Sequence, residues 1–371
     1  MKSENNKLRV YVISNMYPSK TDAYFGVFVK NFCEGIEKDG SISIVCKSLI
    51  RGQGKSYYDK LCKYLIFYFS ILFNGFFKKY DLIYVHNVSH SILPLYPVIL
   101  KKMFADFKVV LNPHGEDMII THKLDGLLLK LSLPFIRRAD LIVSPSNYFK
   151  LKIIQLYNLD YKRIFVSASG GINLDLFKPL TPPARIETKT LGFVSRIEAD
   201  KGWDTVLHAV AKLVMIPEFH NLQVLFVGKG QNVADLLNLA KQLNITQYIC
   251  YLGFKSQLEL PGIFNRLDAF LFPTKMFESL GLVGLEAMAC GIPVIGSDRG
   301  GINDYLDNNE NGYSFKCADA SSLVDQIIKF YNLTDFELAK MKDSALETAL
   351  RFSRQRIVDQ MTTKLISLSH E

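Results

Sequence analysis

The sequence predicts an α/β chain of two domains, each built on a doubly wound parallel sheet, and three observations carry that prediction. The chain has 371 residues, more than one compact core accommodates, and 49% of them are hydrophobic, ample material for two. Short apolar runs recur through both halves, each ended by a polar or glycine-bearing turn and followed by a helical stretch, the order that builds a parallel sheet. Around residues 177–190 the apolar pattern lapses and three prolines appear, which reads as a domain boundary.

The elements follow in order. Residues 8–14 form the first strand, which runs through Asn15, Tyr17 and Pro18 into a loop carrying Gly26, and a helix follows. Residues 41–46, 82–85 and 109–111 read as further buried strands, the last leading into Asn112, Pro113, His114, Gly115, Glu116 and Asp117. Strand 141–144 ends at Pro145, and strand 164–168 ends at Gly170 and Gly171. These make a first domain of residues 1–177. Residues 178–350 repeat the theme with strands at 191–195, 224–227, 249–252, 269–272 and 293–296. Residues 351–371 form an amphipathic helix expected to return to the first domain. Two such sheets facing one another would leave a cleft between them.

Charge and cysteine usage narrow the function. The net charge of +8 suits nucleic acid, an anionic membrane or a phosphorylated ligand. The basic residues are dispersed and form no nucleic-acid motif, so nucleic acid is not expected as a partner. Six scattered cysteines suggest neither a disulfide framework nor a zinc site, and the start of the chain has no long apolar run, so a cytoplasmic protein is expected. Residues 57–80 are rich in aromatics and bracketed by lysines. Their apolar core, residues 64–77, is about 14 residues, short of the roughly 20 that span a bilayer. Two readings stay open. One is a buried helix of the first domain. The other is an interfacial helix with Lys60, Lys63, Lys78 and Lys79 near anionic lipid, on a surface that Lys101, Lys102, Arg137 and Arg138 would extend.

The chemistry concentrates in residues 272–301, FPTKMFESLGLVGLEAMACGIPVIGSDRGG. Glu278 lies in the loop between a strand and a helix, and Glu286 follows on the second helical turn, so both carboxylates can face the crevice above the strand's end. Arg196 closes strand 191–195 and Lys201 follows in the next turn. A planar fork of donors beside a mobile ammonium suits two adjacent phosphates. Gly281, Leu282 and Val283 would add backbone amides at a helix start, where the dipole also favours anions. Glu286 could accept hydrogen bonds from vicinal hydroxyls, and Glu278 could hold the hydroxyls of a sugar. The plainer reading pairs Arg196 and Lys201 with Glu198 and Asp200 on the surface and leaves both glutamates exposed. The joint occurrence of all four groups at strand ends in one domain favours a ligand site. His114, before Gly115 at a strand end, suits substrate positioning, although a lone histidine there is as often a structural hydrogen-bonding group.

These residues resemble glycosyltransferase family 4, the retaining group 1 enzymes of the two-domain GT-B fold, over essentially the whole chain. The most specific feature is the Glu, seven residues, Glu signature from Glu278 to Glu286, within FESLGLVGLEAMACGIPV. SRIEADKGWD from Ser195, GGINLDLF from Gly170 and VGKG from Val227 support it, with HGED from His114 and the Gly26 loop as acceptor-side elements. Two departures are that Phe25 precedes Gly26 where the family often has paired glycines, and that Asn303 and Asp304 replace the usual Pro-Glu after Gly300 and Gly301. The resemblance implies two Rossmann-like domains and transfer of a sugar from a nucleotide-diphosphate donor to a saccharide acceptor, lipid-linked in polysaccharide or glycolipid synthesis. It implies His114 and Glu278 as catalytic residues and Gly26, Arg196, Lys201, Phe254, Glu278, Leu280, Gly281, Leu282, Val283 and Glu286 as the donor site. Phe254 would touch the nucleobase through its main chain. No Asp-any-Asp motif occurs, in keeping with an enzyme that needs neither metal nor cofactor. The competing readings are a nucleotide-sugar 2-epimerase on the same fold and a non-catalytic nucleic-acid-binding protein.

Overall fold

The computed structural model describes residues 7–22, 25–38, 40–115, 123–168, 170–180 and 188–371. The chain forms two compact units, Met1–Gly171 with Arg354–Glu371, and Ile172–Ser353. In the first, β1 (Leu8–Tyr17), α1 (Val27–Glu37), β2 (Ile42–Arg51), α2 (Tyr57–Phe77) and β3 (Leu82–His86) are followed by the short α3 (Val88–Ser91) and α4 (Leu95–Ile99). Then come β4 (Lys108–Asn112), α5 (Lys123–Ile136), β5 (Leu141–Ser144), α6 (Asn147–Tyr157) and β6 (Ile164–Val166). The second unit contains β7 (Lys189–Val194), α7 (Trp203–Leu213), β8 (Leu222–Val227), α8 (Val233–Gln242), β9 (Ile249–Tyr251) and α9 (Leu260–Phe264). It continues with β10 (Ala269–Phe272), α10 (Leu282–Ala289), β11 (Val294–Ser297), β12 (Gly312–Phe315), α11 (Ala320–Tyr331) and α12 (Asp335–Arg351). The last helix, α13 (Arg354–His370), belongs to the first unit, where a side chain on Gly35 of α1 would run into Val358.

Both sheets have six strands, in the orders β2-β1-β3-β4-β5-β6 and β12-β11-β10-β7-β8-β9, and every neighbouring pair is parallel. Parallel strands with helices on both faces must be apolar throughout. β3, LIYVH, and β10, AFLF, are accordingly buried at every position. In each sheet the chain begins in the interior, builds outward on one side, then returns to build the other. That return leaves a switch point between β1 and β3 in the first unit and between β7 and β10 in the second. Loops leaving the carboxyl ends of two such strands diverge to opposite faces of the sheet and open a crevice, the usual ligand position of this architecture.

The structure departs from the sequence reading in three places. β12 has no counterpart in it, because this edge strand, GYSF, follows a polar stretch and has no apolar run of its own. The units change after Gly171 and not after Phe177, since Phe177 is fully buried in the second unit with its ring 6.1 Å from Phe264. They change back after Ser353, which bridges to Ile172. The third departure concerns α2. It runs 21 residues and is long and apolar enough, by length and composition, to cross a bilayer, where the apolar core alone suggested a shorter segment. Nor is it a buried helix. Its buried residues are Phe67, Ile71 and Gly75, one stripe facing the sheet, and the rest of its apolar surface is open or half-open.

Candidate active site

At the switch point of the second unit, the loops after β7 and β10 are tied together. The Lys275 amide donates to the Asp200 carbonyl at 2.8 Å, and the Lys275 ammonium donates to Asp204 Oδ2 at 2.6 Å. Gly202, with φ 76°, lies so close to the Pro273 carbonyl that any Cβ there would collide with it. The tie brings Lys201 to Glu278. The Lys201 ammonium, in a residue only 8% exposed, donates to Glu278 Oε1 at 2.6 Å. The Thr274 hydroxyl donates to the same oxygen at 3.2 Å, while Ser297 Oγ donates to the Thr274 carbonyl at 2.7 Å. The Gly301 amide donates to the Glu278 carbonyl at 2.7 Å, and the backbone of residues 277–280 packs so close that a Cβ on Gly300 or Gly301 would collide with it, which accounts for the paired glycines after β11. Lys201 therefore does not take the plainer surface pairing. Glu198 instead accepts from the Gln231 amide at 3.3 Å. Arg196 stands exposed at the end of β7.

The start of α10 faces the same crevice. Its N-cap, Gly281, has φ 85°, and a Cβ there would stand 2.7 Å from the Phe272 ring, so the tight left-handed turn into the helix requires glycine. The wholly buried Tyr305 fixes this turn by donating its hydroxyl to the Gly281 carbonyl at 2.8 Å. No side chain caps α10, so the leading amides of Leu282 and Val283 carry the positive end of the helix dipole. Leu280 itself is buried. One turn on, half-buried Glu286 accepts from Gln257 Nε2 at 3.2 Å. Burial pushes its carboxyl up to about 7, against the lowering effect of Gln257. Gln257 lies beyond β9 in the loop that also carries Phe254, an exposed ring with the Lys229 ammonium 4.9 Å from its centroid. The Gly228 amide donates to the Gly253 carbonyl and ties the β8 and β9 loops to one another.

In the first unit, the switch point gathers Gly26, His86 and His114. Gly26 is the N-cap of α1, packed on the backbone of Met16 at the end of β1. His86 Nδ1 and His114 Nε2 are 3.0 Å apart, with ring planes 11° apart and centroids 5.3 Å apart. So wide a centroid separation at that nitrogen distance sets the two rings edge to edge in one plane, sharing an in-plane hydrogen bond. One ring must donate and the other accept. Phe28 lies against His114 at 4.4 Å and Phe32 against His86 at 4.8 Å. Burial pushes His114 down to about 3 and holds His86 well below the usual histidine value, so both stay neutral. Glu116 and Asp117 lie outside the described residues.

Sequence reasoning missed Lys229, Gln257, Thr274, Tyr305 and His86. The last had a usable signal: it terminates an apolar run just as His114 follows one. The others contribute through side chains that no spacing rule picks out.

Residues 182–347, which hold Arg196, Lys201, Glu278 and Glu286, match the family of glycosyl transferases group 1. The similarity to that family lies within the second unit. The chain is 28% identical over 295 residues to N-acetyl-alpha-D-glucosaminyl L-malate synthase of Bacillus anthracis, an alignment covering 77% of this chain and 74% of that one. It is 31% identical over 232 residues to D-inositol 3-phosphate glycosyltransferase of Corynebacterium jeikeium, covering 58% of this chain and 55% of the relative, so it spans little more than half of that protein. Among solved structures, Anabaena HepE in complex with UDP superposes with a TM-score of 0.74 at 18% identity, covering 97% of this chain and all of HepE. At that identity the likeness is one of fold, and the fold is GT-B.

Proposed function

We propose that this chain, as a family 4 glycosyltransferase, moves a hexose from a nucleotide-diphosphate-sugar donor to a lipid-linked saccharide, with retention of anomeric configuration and without a metal. The observation that carries the reading is the pair of buried Lys201 with half-buried Glu278, 2.6 Å long, at the β7/β10 switch point beside the uncapped start of α10. It sets a cation, a carboxylate and a positive helix end around one spot. Lys201 serves both partners, since an ammonium has three donors and can hold Glu278 with one and phosphate oxygens with the others. Arg196 and the amides from Gly281 to Val283 complete the diphosphate grip, with Leu280 anchoring the loop. Glu286 takes the ribose hydroxyls, Glu278 the sugar hydroxyls, and the backbone at Phe254 the base. The UDP bound in the Anabaena relative supports a uridine nucleotide as the first donor to try.

In the reaction, the bond from the anomeric carbon to the phosphate oxygen breaks, the acceptor oxygen bonds to the same face of that carbon, and a donor phosphate oxygen takes the acceptor's proton. Negative charge grows on the departing diphosphate, and fixed cations and amides that hold it more tightly at that moment lower the barrier. The first unit supplies acceptor binding, with Gly26 in its first loop, and His114 is the residue of that unit assigned to the chemistry. As a neutral imidazole it positions and polarises substrate but carries no charge. The net charge of +8 and the aromatic, lysine-flanked α2 support an acceptor held at the cytoplasmic face of a membrane.

The test is incubation with UDP-sugars and a lipid-linked acceptor in the presence of EDTA, following the product anomer by NMR. Retained configuration and undiminished turnover are expected. Inverted product, or loss of turnover on chelation, contradicts the mechanism, and a 2-epimerised sugar formed from donor alone would make the protein an epimerase.

A further inference from the structure

We infer that α2 is the element by which the enzyme docks on an anionic bilayer, lying in the plane of the interface with its outer face inserted. The inference deepens the lipid-linked reading above and takes its purpose from it, but its evidence is separate. Leu65, Ile66, Phe69, Phe73, Phe76 and Phe77 all stand exposed on one helix, with Ile66 and Phe69 each 70% open. Phe69, Phe73 and Phe77 repeat at four-residue spacing and touch in sequence, with centroids 6.3 and 5.1 Å apart, so they form a continuous aromatic ridge. A soluble monomer rarely leaves so long an apolar ridge in water.

The ridge continues beyond the helix. The Lys101 ammonium donates to the Gly75 carbonyl at 3.0 Å and the Lys78 carbonyl at 2.8 Å, which fastens residues 100–104 to the end of α2. There Leu100 and Phe104 are also exposed, Phe104 at 89%. The inner face cannot follow the outer one into lipid. Phe67 and Ile71 are in the core, Gly75 is seated against Val98, and the Tyr11 hydroxyl donates to the Ile71 carbonyl at 3.4 Å. Crossing the membrane would tear this face from the β-sheet, so α2 lies on the surface in the manner of an interfacial helix.

Charge identifies the occupant. Lys60 near one end and Lys78 and Lys79 at the other are exposed. The one acid on the helix, Asp59, is already engaged by the Lys55 amide at 2.8 Å and by Lys63 at 3.6 Å. Lys63 is itself turned onto the carbonyls of residues 51–53 and so is not one of the lipid-facing cations the sequence suggested. A second copy of the chain seated on this ridge would bring like charges together at its ends in either orientation. Anionic headgroups meet them with opposite charge.

The experiment is co-sedimentation of the full-length enzyme with phosphatidylcholine vesicles and with vesicles containing phosphatidylglycerol. Wild type should partition onto the anionic vesicles, and more weakly at high salt. The Phe69→Ser/Phe73→Ser/Phe77→Ser variant should lose at least tenfold in partitioning while keeping its thermal stabilisation by UDP, which reports a folded donor site. Lys78→Ala/Lys79→Ala should weaken binding to anionic vesicles and leave binding to neutral ones unchanged. Wild type that stays in the supernatant overturns the inference, as does unchanged partitioning of the triple serine variant. A solution dimer that this variant converts to monomer, with no vesicle binding by either, assigns the ridge to a second copy. Transfer to a detergent-solubilised lipid-linked acceptor is read separately, so vesicle binding without such transfer removes the acceptor reading and leaves the docking face standing.

Discussion

Lys201 holds Glu278 in this structure and is assigned the diphosphate in the reaction, so its removal has two consequences. Lys201→Ala strands a largely buried carboxylate, and breaking such a pair costs about 3 kcal/mol. Chemical denaturation should show that loss, and the Lys201→Ala/Glu278→Ala double variant should recover part of it, because the unpaired charge has then gone too. Turnover should stay abolished in both. Glu286 makes a prediction about pH. Its folded carboxyl, up to about 7, lies above the ordinary value of 4.5. A raised value gives stability that is complete below the unfolded titration and is lost as pH rises through the folded one. Melting temperatures should therefore fall between about pH 5 and 8 in wild type relative to Glu286→Gln. Parallel curves for the two proteins would refute the burial of that carboxyl. The carboxylates, Arg196 and His114 were legible in the sequence because strand ends mark where functional groups collect. That Lys201 bonds to Glu278 was not legible, since it depends on a loop contact between residues 77 positions apart.

At the scale of elements, the loops that leave β7 and β10 fit together through one glycine. Gly202→Ala places a Cβ against the Pro273 carbonyl and adds a left-handed backbone cost of about 1–2 kcal/mol. It should separate Lys201 from Glu278 and lower UDP affinity more than tenfold, readable by calorimetry, although residue 202 is assigned no contact with ligand. Wild-type affinity in this variant would mean the two loops do not set the site. The strands themselves were readable because parallel strands covered on both faces show as plain apolar runs, as β3 and β10 do. β12 escaped because an edge strand needs no such run. The exposure of α2 escaped for the opposite reason. Composition records that a helix is apolar but not which neighbours cover it, and here just one stripe, Phe67, Ile71 and Gly75, meets the core.

At the scale of the whole molecule, two sheets with the same winding carry two switch points, and each gathers chemistry-bearing side chains from loops far apart in sequence. The first holds a neutral histidine pair with α1 beginning at Gly26, and the second a cation, two carboxylates and an open helix start. Because burial holds His114 at about 3, its titration should leave no limb in the pH–rate profile between about pH 5 and 9. His114→Ala should lower kcat about 100-fold, the scale of losing one polarising group. The account rests most heavily on the second switch point being a nucleotide-diphosphate site. Isothermal titration of UDP into wild type and Lys201→Ala, at matched pH and salt, tests that most directly. Saturable one-site binding by wild type, weakened at least tenfold in the variant, is the predicted result. Equal affinity in the two proteins, or no binding by wild type of UDP or any other nucleoside diphosphate, would contradict it.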